Sequence, residues 1–127
     1  MDYPAVIHVQ SRYLPDHLPE EEGKFVFAYH VTIQNQGNVK IQLLNRYWLI
    51  TDGNGKQKEV RGEGVVGKQP IIEPGDVFSY TSGSVIDTPV GSMQGYYEMQ
   101  TLPEAGESQL FTAPIDVFSL AVPNSLN

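Results

Sequence analysis

The chain has no cysteine. That excludes a disulfide framework and any thiolate metal site, and it fits a cytosolic protein. No apolar run approaches the roughly 20 residues needed to span a bilayer. Met1-Asp2-Tyr3-Pro4 places no basic region ahead of an apolar stretch, so no signal peptide is expected and the expected compartment is the cytoplasm. No segment of ten or more residues carries a capped apolar repeat of period 3.6, so amphipathic helices are not expected. Basic residues also run out early. All eight Lys and Arg lie at or before Lys68, and from Gln69 onward seven acidic side chains meet no basic one. With a formal net charge of -7, the long-range field repels nucleic acid and anionic membranes, and neither is expected as a partner.

What is present is strand. The 127 residues, 40% of them hydrophobic with seven Tyr and five Phe, suffice for one domain with its own core. Ala5 to Leu14 is β-rich and stops at Pro15. Pro15 to Gly23, with Glu20-Glu21-Glu22, reads as a mobile connection. Phe25, Phe27, Tyr29, Val31 and Ile33 then alternate with smaller or more polar residues, a strand with one face in a core. A second long strand runs from Val39 to about Thr51. Its apolar residues occupy both parities (Leu44, Trp48 and Ile50 against Ile41, Leu43, Tyr47 and Leu49), which predicts a central strand covered at least partly on both sides, with Trp48 as a core anchor.

Asp52-Gly53-Asn54-Gly55 is the strongest hairpin signal and predicts a short, charged edge strand over Lys56–Arg61. Pro74-Gly75 is a turn pair, followed by a strand over Val77–Thr81 that Ser82-Gly83-Ser84 is expected to loosen. In Met93–Thr101, Met93, Gly95, Tyr97 and Met99 share one side, and Gly95 marks a bulge or a close backbone approach. The last strand has Phe111, Ala113 and Ile115 in one phase but Phe118 and Leu120 in the other. A side-chain period of two changes phase only through an extra residue, so a β-bulge is predicted near Asp116-Val117. About seven short strands separated by turn signals predict an all-β, antiparallel two-sheet sandwich of immunoglobulin or fibronectin type III style.

The chemistry-bearing candidates are few. Gly62-Glu63-Gly64-Val65-Val66-Gly67 has the G-x-G-x-x-G spacing of a dinucleotide cradle, but that reading needs a following helix, and Lys68-Gln69-Pro70 forbids one. No G-K-[ST] ending is present either. What remains is a glycine-rich β-connection whose amides, with Arg61 and Lys68, could form a small anion nest, making phosphate a possible weak ligand. Tight turns and close packing explain the same glycines. His8, His17 and His30 share no metal-ligand spacing; His8 and His30 fall on opposite-face positions of predicted strands and could pair across a sheet. Ser82 and Ser84 lack a nucleophile elbow. No catalytic set, metal site or cofactor is expected.

Arg61-Gly62-Glu63-Gly64-Val65-Val66-Gly67-Lys68-Gln69-Pro70, then Pro74-Gly75, Tyr80-Thr81-Ser82-Gly83 and Thr88-Pro89-Val90-Gly91-Ser92-Met93-Gln94-Gly95-Tyr96-Tyr97-Glu98-Met99, resemble the bacterial ApaG family. Arg46-Tyr47-Trp48-Leu49-Ile50-Thr51-Asp52 fits the same pattern, and the likeness extends from about Val6 to Pro123. Asp116 departs from it, standing where the family often has proline. The resemblance implies a single ApaG domain over residues 1–127 with a fibronectin type III-like sandwich. It also implies an association with cobalt and magnesium handling, and a proposed pyrophosphate site at Gly62, Gly64 and Gly67. Related domains in eukaryotic F-box and polymerase-delta-interacting proteins look like partner-recognition modules. The expectation is therefore a non-enzymatic module that binds an unidentified protein partner, with a pyrophosphate or nucleotide sensor as the rival.

Overall fold

The period-two patterns become eight strands in the computed structural model, which describes residues 4–15 and 23–123. They are β1 (Ala5–Tyr13), β2 (Phe25–Asn35), β3 (Lys40–Asp52), β4 (Gln57–Glu63), β5 (Ile71–Ile72), β6 (Val77–Ile86), β7 (Val90–Leu102) and β8 (Leu110–Ala121). Sheet A has the order β1-β2-β6. Sheet B has the order β4-β3-β7-β8, with β5 also paired to β3. Every pairing is antiparallel. The two-residue β5 is the strand that composition did not announce. Most of the acidic connection, including His17 and Glu20–Glu22, lies outside the described residues.

The inner faces meet in one core. Sheet A contributes Phe27, Tyr29, Val31 and Ile33, whose alternate neighbours turn outward, as the pattern requires. Trp48 of sheet B is 2% exposed and packs edge-on to Tyr29, Tyr97 and Phe118. The predicted bulge is present: Met93 faces Phe118 and Gly95 faces Ile115, so Asp116 and Val117 together oppose Gln94. Gly95 sits beside this irregularity, and a Cβ there would lie 1.9 Å from the Tyr47 carbonyl oxygen. Only glycine permits that approach.

Two expectations need correction. The strand expected to loosen at Ser82-Gly83-Ser84 runs unbroken from Val77 to Ile86, because these residues pair continuously with Phe25–Gln34. β3 is buried on its inner face and only half-covered on the other, and its mixed parity has a different cause. Leu43 faces Met99 and Asn45 faces Glu98, so Leu44 is an extra residue that shifts the phase. Ile41 and Leu43 point inward before it, and Arg46, Trp48 and Ile50 after it. Tyr47 and Leu49 lie on the solvent face. The mixed parity records a bulge, by the same logic that holds for β8.

Asn35, fully buried, ties the ends of β2, β3 and β5 together. Its Nδ2 donates to the carbonyls of Val39 (2.8 Å) and Ile72 (2.9 Å), and its Oδ1 accepts from the Gly37 amide (2.9 Å). Both N–H groups and the carbonyl oxygen thus have a partner, as burial of an amide demands. The Glu73–Asp76 turn closes with Gly75 at φ 83 and an Asp76 N to Glu73 O bond of 3.0 Å.

Candidate functional site

The glycine stretch leaves β4 and folds back onto β3. The carbonyl of the bulged Leu44 accepts from both ends of it: from Gly64 N at 2.8 Å and from Gln69 Nε2 at 3.0 Å. Leu43 N reaches Pro70 O at 3.1 Å, and Gln42 Nε2 reaches Gln69 O at 3.1 Å. Between the anchors, Val65 and Lys68 exchange two backbone bonds of 2.8 and 3.0 Å around Val66 and Gly67. Both central residues have positive φ, 44 for Val66 and 78 for Gly67, a two-residue turn of the primed kind that suits twisted strands. Val65 is buried beneath it while Val66 stands 58% exposed. A β-branched residue in the left-handed region is a strained choice.

Each glycine answers a different demand. A Cβ on Gly62 would lie 2.7 Å from the Arg46 guanidinium, and one on Gly64 would lie 2.2 Å from the Lys68 carbonyl oxygen. Gly67 has open space around it and serves only the positive φ. The amides of Gly64, Val65 and Lys68 are committed to carbonyls of the protein. No helix stands behind the loop, so the dinucleotide cradle is absent here as the sequence required.

The expected cations divide. Lys68 closes the turn through its backbone. Arg61 pairs with Tyr47 across β4 and β3 on the solvent face of sheet B. There its guanidinium lies 4.4 Å over the Tyr47 ring, with long contacts of 3.4 Å to the Tyr96 hydroxyl and to Glu59. Hydrogen bonding to Tyr96 holds its pKa above the ordinary value. Tyr47 and Tyr96 stack at 4.9 Å, and Tyr96 faces Pro114 on β8. Arg61, Tyr47, Tyr96 and Pro114 thus make one cross-strand row on the outer surface.

The guanidinium on the inner side of the loop belongs to Arg46. Its Nη1 donates to the carbonyls of Glu63 (3.0 Å) and Gly64 (2.8 Å), and Gly62 leaves room for it. Arg46 lines a cavity of about 300 Å³ with Tyr29, Tyr80, Ser82 and Val65–Gly67; neither Arg61 nor Lys68 lines it. Beneath, the hydroxyls of Tyr80 and Tyr97 hydrogen-bond to each other. Burial pushes both phenols up, so both stay protonated. Arg46 escaped notice in the sequence because its inward direction follows only once Leu44 is counted as a bulge. The Arg61–Tyr47–Tyr96 row could have been found from strand register, which composition does not supply.

His8 and His30 share the solvent face of sheet A, but His8 opposes Thr32 and His30 opposes Gln10, so they are diagonal neighbours and not a pair. His30 Nδ1 lies 2.8 Å from Thr81 Oγ1. Among the described residues, no three His, Asp or Glu gather as a metal-ligand set, and no helix is long and apolar enough to cross a membrane.

An eight-stranded antiparallel sandwich whose β4–β5 connection is a glycine turn docked on a strand bulge defines an immunoglobulin/fibronectin type III-like class of domain. The ApaG domain family matches residues 15–101, and the chain belongs to that family. It is 52% identical over 121 residues to Protein ApaG of Pectobacterium atrosepticum, covering 95% of this chain and 94% of that one. It is 53% identical over 121 residues to Protein ApaG of Salmonella arizonae, with the same coverage. Among solved structures, a crystal structure of an ApaA protein from Bordetella pertussis superposes with TM-score 0.85 at 42% identity, covering 95% of each chain. An X-ray structure of a structural-genomics target gives TM-score 0.87 at 43% identity, covering 97% of this chain and 90% of that one.

Proposed function

We propose that the protein is a non-enzymatic β-sandwich that acts by binding another protein, through the solvent face of sheet B. The observation that carries this reading is the row Arg61–Tyr47–Tyr96–Pro114. Arginine and tyrosine are the residue types that dominate binding energy at interfaces, and stacking already holds these side chains in place, so little rotamer freedom is left to lose. In this reading the family's association with cobalt and magnesium handling runs through the partner. Capture from a native lysate tests it: the wild-type protein enriches a protein that Tyr47→Ser and Tyr96→Ser lose. Each substitution is expected to cost on the order of 2 kcal/mol, about thirty-fold in Kd. If nothing is enriched over background, or both variants capture it equally well, the reading fails.

A second reading is a phosphate or pyrophosphate site at the glycine loop, comprising Gly62, Gly64 and Gly67, with Arg46 in the role expected of Lys68 or Arg61. Arg46 is the observation that favours it, because it presents a guanidinium to a cavity that the loop lines. The strain at Val66 supports it too, since such strain tends to be kept at working sites. Titration with pyrophosphate, ATP and diadenosine tetraphosphate, followed by amide shifts, decides it. Silence at Gly62–Gly67 at millimolar ligand would end it.

A further inference from the structure

Two sheets have four edges, and an open edge invites another strand. Three of these edges are guarded. β8 carries Pro114 and the Asp116-Val117 bulge. β4 carries Lys58, Glu59, Arg61 and Glu63 within seven residues. β1 leans on β8, where Ser11 Oγ donates to Ser119 O at 2.6 Å. β6 has none of these devices. Its ten residues, Val77–Ile86, include no charge and no proline, and its register with β2 is unbroken. Among the described residues, its backbone pairs with β2 alone.

The space beside that edge has a definite chemistry. The inner row of β4 is Lys58, Val60 and Gly62, opposite Ile50, Trp48 and Arg46. Cavities of about 300 and 350 Å³ open between β6 and β4. Arg46, Tyr80 and Ser82 line the first; Lys58, Ile50 and Ile86 line the second. The seam therefore has a cation at each end and half-buried Val60 between them. Lys58 and Gly62, over which Arg46 lies, are four strand residues apart, about 13 Å. Other charges lie along it: Glu63 at the Arg46 end, and Asp52, Lys56 and the Lys24–Asp87 ion pair at the Lys58 end.

We propose that this seam receives an extended acidic peptide of a partner protein, which adds to β6 as a fourth strand of sheet A and sets two carboxylates, four residues apart, against Arg46 and Lys58. Strand addition supplies main-chain hydrogen bonds that ignore sequence, and alternate side chains supply selectivity. Two residues separate same-side neighbours on a strand, so acids at i and i+4 face the cations while an apolar residue at i+2 meets Val60. The site lies on the opposite face of β4 from the Arg61 row and stands whether or not that row binds anything.

The probe is a blocked octapeptide, Thr-Glu-Thr-Val-Thr-Glu-Thr-Thr, titrated against the full chain by amide shifts and hydrogen exchange. Binding is expected to slow exchange at alternate amides of Val77–Ile86. Replacing both glutamates by lysine, or both central threonines by proline, weakens it at least tenfold. Arg46 also anchors the glycine loop, so Lys58→Glu, at an exposed position, carries the charge test and weakens binding about tenfold. Tyr47→Ala leaves binding unchanged, and Arg46→Gln need only be read where its spectrum shows a folded protein. The proposal is overturned if no β6 amide responds at millimolar peptide, if the lysine peptide binds as tightly, if Lys58→Glu has no effect, or if Tyr47→Ala abolishes binding.

Discussion

Gly62, Gly64 and Gly67 look equivalent in the motif, yet the loop asks different things of them, so alanine should separate them. Gly67→Ala meets no atom and costs about 1 kcal/mol, the penalty of the left-handed region. Gly64→Ala adds an overlap with the Lys68 carbonyl and costs roughly 3 kcal/mol. Gly62→Ala displaces Arg46 and should move its guanidinium resonances more than it lowers Tm. Val66→Asn relieves the strain at φ 44 and raises stability by about 1 kcal/mol. Asn35→Ala orphans the buried Ile72 carbonyl and the half-buried Val39 carbonyl and Gly37 amide, for a loss of about 3 kcal/mol. Denaturant unfolding of the five variants checks the order; equal losses at the three glycines would contradict these separate roles.

At the level of the strand, the bulges decide what a deletion does. Removing Val117 takes out the extra residue of β8 and leaves Ile115, Phe118 and Leu120 in one continuous phase. Removing Ser119 turns Leu120 outward and forfeits its burial, about 2–3 kcal/mol. The first deletion should therefore leave a higher Tm than the second by calorimetry, although both shorten the strand by one. The same arithmetic explains how much of the fold was legible. Phe111, Ala113 and Ile115 against Phe118 and Leu120 leave no other account of β8, because the two inward sets stand three residues apart, an odd spacing that a period of two cannot bridge without an extra residue. In β3 the solvent-face residues Tyr47 and Leu49 are themselves apolar, so the phase shift at Leu44 was masked and read as two-sided burial. The glycine turn was visible in composition. The inward guanidinium of Arg46 was not, because its direction hangs on that one bulged residue.

Across the whole molecule, titration bears on stability at the two ends of the pH scale. Tyr80 and Tyr97 keep their protons in the folded state above the ordinary tyrosine value of 10.0, where the unfolded chain loses them. Folded protein then binds more protons than unfolded, so stability is complete below pH 10 and falls as pH rises beyond it. Tyr80→Phe should flatten that decline in urea unfolding midpoints measured from pH 9 to 11. Asp87 has the opposite sign. Lys24 holds its carboxyl below the usual 3.8, so the small stability it brings is present above that value and fades as pH falls through the lowered one. The bulge at Leu44 also carries a kinetic consequence. The irregularity that leaves its carbonyl to Gly64 and Gln69 is defined by the pairing of β3 with β7, some fifty residues further along the chain. Closing that large loop is slow, and we predict that it precedes docking of the turn. The glycine turn should therefore consolidate on the native side of the folding barrier, with φ-values near zero at Gly67 and Gln69 and high ones at Leu43 and Met99. Damage to the turn would then speed unfolding while leaving the rate of folding almost untouched.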